Sequence, residues 1–124
     1  MNNEREILII DDDSRNIFAL SAVLKSKKFR CVSAISAHQG LKMLSENKNV
    51  GIVLMDMMMP EMDGYEAIEK MKNDTDLKDI PIIAITAQAM TGDREKCIEA
   101  GADGYISKPV DVDELVLLLN QLID

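Results

Sequence analysis

The chain has 124 residues, 47% of them apolar and 29% charged, enough to bury one core without staples. Twenty-two acids against 14 bases leave a formal charge of −8, which disfavours nucleic-acid backbones and anionic membranes as partners. Cys31 and Cys97 lack metal-ligand spacing and read as reduced thiols, and no run approaches the ~20 apolar residues of a membrane span; a soluble, cytoplasmic protein is expected.

The first apolar run, ILII (7–10), predicts a strand and is followed at once by Asp11, Asp12 and Asp13. Asp13, with Ser14 as an alternative, then suits the cap of a helix from Ser14 to Lys27, with Ile17, Leu20 and Leu24 on one face. CVSAI (31–35) predicts the second strand, and Ser36-x-x-Gln39 a capping box that opens a helix carrying Leu41 and Leu44 inward. His38 falls near the start of that helix without an acidic neighbour and reads as a surface residue.

GIVLM (51–55) is apolar throughout, as a strand buried on both faces should be, yet it runs straight into Asp56. Met55, Met57, Met58 and Met59 read as packing and loop residues. Asp63-x-x-Glu66 predicts the cap of a third helix with Ile68 and Met71 inward. IPIIAI (80–85) is the fourth strand and ends at Thr86; Thr91 caps the next helix, which Gly101 ends in a left-handed stop. GYIS (104–107) leads into Lys108 and Pro109, and Asp111-x-x-Glu114 caps a last helix striped with Leu115, Leu118, Leu119 and Leu122. Five strands alternating with five helices predict an α/β fold, a parallel sheet covered on both sides, with residues 1–124 as a single domain.

In such a sheet ligands gather beyond the carboxyl ends of the strands. Asp11 and Asp12, Asp56, Thr86 and Lys108 each follow a different strand, so all five are expected at one edge. Two carboxylates about 5 Å apart repel by ~3 kcal/mol at an effective dielectric near 20. Three in one crevice ask for a hard divalent cation, and an all-oxygen site suits Mg²⁺. Such a site is ready for a phosphoryl group: Lys108 neutralises its oxygens, the Thr86 hydroxyl donates to one, and Asp56 attacks.

ILIIDDD, VLMDMMMPEMDG, AITAQAM and YISKPVD, in this order, resemble the motifs of the response-regulator receiver domain of two-component and phosphorelay signalling, and the likeness runs the length of the chain. The stretch TAQAMTGDREKCIEAGADGYISKPVD is most similar to receivers of hybrid histidine kinases or stand-alone receivers. The resemblance implies a doubly wound, flavodoxin-like (βα)5 sheet of order 2-1-3-4-5. It implies Asp56 as phospho-acceptor, and Asp11, Asp12, Asp56 and the Met58 backbone carbonyl around Mg²⁺. It implies Lys108 on the phosphoryl oxygens beside a cis Lys108–Pro109 bond, and Thr86 with Tyr105 as the switch pair. The donor would be a phosphohistidine on a histidine kinase or phosphotransfer protein, and the listener a downstream protein effector. Such a module catalyses its own phosphorylation and dephosphorylation without being a turnover enzyme.

Three rivals share some features. A haloacid-dehalogenase-like phosphatase would use Asp11-x-Asp13 but needs a longer chain and a further acid pair after its lysine. A flavodoxin-like cofactor carrier needs a first loop that welcomes phosphate, and DDDSRN repels one. A degenerate receiver that only docks a partner has no need of the full set of acids, hydroxyl and lysine.

Overall fold

The alternation of apolar runs and capped amphipathic segments resolves into ten elements in a computed structural model that describes residues 5–57, 64–86 and 93–123. In chain order they are β1 (Glu6–Ile10), α1 (Ser14–Ser26), β2 (Arg30–Ala34), α2 (Ala37–Glu46), β3 (Val50–Asp56), α3 (Gly64–Lys72), β4 (Ile82–Thr86), α4 (Asp93–Ala100), β5 (Gly104–Ser107) and α5 (Val112–Leu122). All five strands are parallel, in the order β2-β1-β3-β4-β5. The expected doubly wound sheet is the observed one.

Successive side chains on a strand point to opposite faces, and the core divides accordingly. Leu8, Ile10, Val53, Met55, Ile82 and Ala84 pack with Leu44, Ile68, Met71 and Cys97 of α2, α3 and α4. Ile7, Ile9, Ile52, Leu54, Ile83 and Ile85 pack on the other face with Leu24 of α1 and Leu115 and Leu119 of α5. All seven residues of β3 are buried, which is why its sequence shows no polar alternation. Each fully buried Ile or Leu contributes about 1.5–3 kcal/mol over leaving it in water.

The helix ends follow from local chemistry. Asp13 caps α1 by accepting from the Arg15 N–H, and Ser36 caps α2 by accepting from Gln39 N–H at 3.1 Å. The Gln39 side chain returns the favour one residue earlier than a capping box predicts: its Oε1 accepts from Ile35 N–H at 2.8 Å. Ile35 is thereby pulled out of the expected strand and is 60% exposed. Asp111 accepts from the N–H groups of both Asp113 and Glu114 to start α5. The caps expected of Asp63 and Thr91 lie outside the described residues.

Two helices end in the same left-handed turn. In α4, Gly101 at φ +123° lets its own N–H reach Ile98 O and that of Ala102 reach Cys97 O. In α1 the turn residue is Lys28, at φ +75°, with Lys28 N–H on Lys25 O and Phe29 N–H on Leu24 O. Phe29 then buries itself in the same apolar cluster as Leu24.

Candidate functional site

Parallel pairing brings the ends of β1, β3, β4 and β5 to one edge, and each functional side chain is fixed there by backbone hydrogen bonds. Asp11 extends the β1–β2 ladder, its N–H donating to Ala34 O at 3.1 Å. Its Oδ1 accepts from Asp13 N–H at 2.9 Å, a tight turn that leaves Asp12 facing solvent between them. Asp56 closes β3 opposite Ile85, and Met57 N–H continues the ladder to Ile85 O. Thr86 ends β4 opposite Ser107, and Lys108 N–H donates to Thr86 O at 2.7 Å. The Lys108–Pro109 bond is cis.

The side chains converge as those ladders require. One carboxylate oxygen from each of Asp11, Asp12 and Asp56 lies within 4.8 Å of the others. Asp11 and Asp56 are buried, at 7% and 4% exposure, whereas Asp12 is exposed. Lys108 Nζ stands 3.7 Å from Asp56 Oδ1. Three carboxylates and one ammonium leave two negative charges in the crevice. At 4.8 Å each pair of anions repels by about 3 kcal/mol at an effective dielectric near 20.

That arrangement fits a small hard dication. Asp11, Asp12 and Asp56 each offer one carboxylate oxygen, the hard all-oxygen donor set that would hold Mg²⁺. Asp13, next in sequence, does not join the cluster. Its carboxylate points to Arg15, whose side-chain hydrogen bond, and then whose backbone N–H, hold its pKa below the usual carboxylate value. Met58 lies outside the described residues.

Thr86 is almost fully buried, on the sheet face shared with Ile82 and Ala84. Tyr105, half-buried, packs against the same core and pairs with Ala84, one side-chain step behind Thr86 along the sheet. The two residues therefore share a face and adjacent strands. Beside the acids, a cavity of about 320 Å³ opens between α1 and the start of α5, lined among others by Asp11, Asn16, Asp56, Lys108, Leu20 and Val110. Asn16 is a site residue that the strand-end rule could not reveal. It lies on a helix, and only its spacing one turn after Asp12 and Asp13 hinted at the same edge.

The family model described as the response regulator receiver domain matches residues 7–120. The chain belongs to that family. Phosphoryl acceptance is general among its members. This receiver is 31% identical over 117 residues to the two-component response regulator ORR5 of Oryza sativa, covering 94% of this chain and 87% of that protein. Among solved structures, the receiver domain of sensor histidine kinase PA1611 from Pseudomonas aeruginosa, with a magnesium ion coordinated in its active-site cleft, superposes with a TM-score of 0.86 at 32% identity, covering 95% of this chain and 96% of that one. A putative response regulator from Chloroflexus aurantiacus superposes with a TM-score of 0.89 at 28% identity, covering 95% and 96%. The chain is thus a two-component signalling receiver with an acidic cluster at its sheet edge. Among the described residues, no helix is long and apolar enough to cross a membrane.

Proposed function

We propose that this receiver takes a phosphoryl group from a phosphohistidine of a histidine kinase or phosphotransfer protein onto Asp56. The observation that carries the reading is the convergence of three carboxylate oxygens within 4.8 Å, with an ammonium 3.7 Å from only one of the three residues, Asp56. A carboxylate oxygen of Asp56 attacks phosphorus, the P–N bond breaks, and its electron pair stays on the imidazole nitrogen. Loss of the signal is the same chemistry with water: water attacks phosphorus, the P–O bond to Asp56 breaks, and the carboxylate is restored.

Asp11, Asp12 and Asp56, with the Met58 backbone carbonyl, would hold Mg²⁺. When bound, the ion neutralises phosphoryl oxygens and offsets the charge of its carboxylate ligands. Lys108 takes a second phosphoryl oxygen as a cation, and the Thr86 hydroxyl donates to a third. Before the phosphoryl group arrives, Lys108 offsets part of the charge of Asp56.

Signalling then follows as a population shift. The acyl phosphate replaces about one negative charge by two. Thr86 is drawn toward it, Tyr105 turns inward on the same sheet face, and α4, β5 and α5 present an altered surface to a downstream protein effector. We read the stretch 1–124 as one receiver unit, supported by the family match over 7–120. Its cytoplasmic location is inferred from a charge of −8 and two unlinked cysteines. As a signalling module it turns over only its own phosphate.

Incubation with acetyl phosphate and Mg²⁺ tests the reading. A single base-labile phosphate on Asp56, absent from Asp56→Asn, is the expected mass spectrum. Phosphate on another residue, or none, would overturn it. The switch is tested by amide exchange across residues 87–120, where identical profiles with and without the aspartyl phosphate would remove Thr86 and Tyr105 from the mechanism.

A further inference from the structure

The cavity beside Asp56 is lined among others by Asp11, Asn16, Asp56 and Lys108; Asn16 is exposed and Lys108 partly so, and among the described residues neither side chain makes a hydrogen bond to the protein. Among the described residues, the Asn16 carboxamide has no hydrogen-bond partner. The Lys108 ammonium has three N–H donors, yet its ion-pair partner among the described residues, Asp56 Oδ1, is at 3.7 Å, beyond hydrogen-bond length. Asn16 is also well anchored. It sits in the first turn of α1, next to Arg15, whose N–H donates to the capping carboxylate of Asp13 at 2.9 Å.

The reaction sets conflicting demands on Lys108. To attack phosphorus, an Asp56 oxygen must give up the ammonium, which has to follow the incoming phosphoryl oxygens. An acceptor on the same rim can hold one N–H through that exchange. A carboxylate there would pin the lysine and add to the anionic excess, whereas a neutral carboxamide oxygen does neither. We propose that Asn16 is a positioning residue for Lys108, its Oδ1 accepting one ammonium N–H so that the other two are aimed at the phosphoryl group. The inference rests on Asp56 being the phospho-acceptor and adds the residue that orients its lysine.

The test is a double-mutant cycle on the rate of aspartyl phosphate formation from acetyl phosphate at saturating Mg²⁺. Asn16→Leu, close in size but unable to accept, is expected to slow the wild-type rate about fivefold, the effect of one partly exposed charge-assisted hydrogen bond. In a Lys108→Ala background the same substitution should change the rate less than about twofold. An equal loss in both backgrounds, or no loss in the first, would overturn the proposal. The Lys108 carbon-ε NMR resonance of the aspartyl-phosphate form reads the contact directly. It should move in Asn16→Leu and in Asn16→Ala, and a resonance that stays put in both would overturn it too. Wild type that takes up no phosphate would instead bring down the reading of Asp56, and Asn16 with it.

Discussion

Lys108 Nζ and Asp56 Oδ1 are 3.7 Å apart, although Asp56 ends β3, Lys108 follows β5, and β4 lies between those strands. At that distance the two charges attract without a hydrogen bond between them. Among the described residues, the pair's neighbours Asp11 and Asp12 have no comparable lysine. The imbalance predicts how the site responds to metal and to mutation.

Mg²⁺ should stabilise the folded protein. At a concentration ten times its dissociation constant, a ligand of the native state alone adds about 1.4 kcal/mol. Asp56→Asn should raise the metal-free melting temperature, because it removes one of three mutually repelling carboxylates, and should shrink the Mg²⁺ increment. Differential scanning calorimetry with EDTA and with millimolar Mg²⁺ checks both, and an unchanged wild-type midpoint would dismiss the metal assignment.

Lys28→Gly should stabilise the protein. Lys28 holds φ +75° in the turn that ends α1, a conformation costing a residue with a Cβ about 1–2 kcal/mol. Glycine gives back part of that gain through its greater unfolded freedom, leaving a net of about 0.5–1 kcal/mol. Urea denaturation should show a higher midpoint with an unchanged slope.

Gly101→Ala should act in the opposite sense. Its φ of +123° strains any side chain, and a Cβ would lie 2.7 Å from Lys72 Cγ and 3.2 Å from Ile68 Cγ2. The loss should be about 1–3 kcal/mol. Lys72 cannot easily yield: its Nζ donates to Lys78 O, Ile80 O and Asp103 Oδ2, the last at 3.2 Å. Pairing Gly101→Ala with Lys72→Ala should recover some of the strain while losing the three contacts, which a thermodynamic cycle on the four proteins measures.

Cys31 should lend the fold a dependence on alkaline pH. Burial in β2 pushes its thiol from 9.0 up to about 11, with Lys25 pulling slightly the other way. Because the folded value lies above the unfolded one, its contribution is complete below pH 9 and disappears as pH rises through about 11. Stability measured relative to Cys31→Ala should therefore decline across that window and be flat from pH 6 to 8. A constant difference to pH 11 would contradict the shift.

The elements and the acids were legible in the chain because their signals are local. A short unbroken apolar run rich in β-branched residues, such as residues 51–55, reads as a strand buried on both sides, and a polar residue directly after it then falls at the strand's end. Asp13, Ser36 and Asp111 cap helices through atoms within three residues of themselves. Even so, Ile35 was misassigned, since the Gln39 amide takes its N–H and no propensity reports that competition.

Convergence was a different matter. Asp11, Asp56, Thr86 and Lys108 come together only if the strands are parallel, in register and ordered β2-β1-β3-β4-β5, and no residue encodes that order by itself. The resemblance supplied the order in advance; hydrogen-bonded ladders and two-sided burial are what enforce it. The 3.7 Å gap at Lys108, the place of Asn16 on the cavity wall and the turning of Asp13 away from the cluster belonged to the tertiary structure alone. They depend on distances between chain segments, which sequence spacing does not carry.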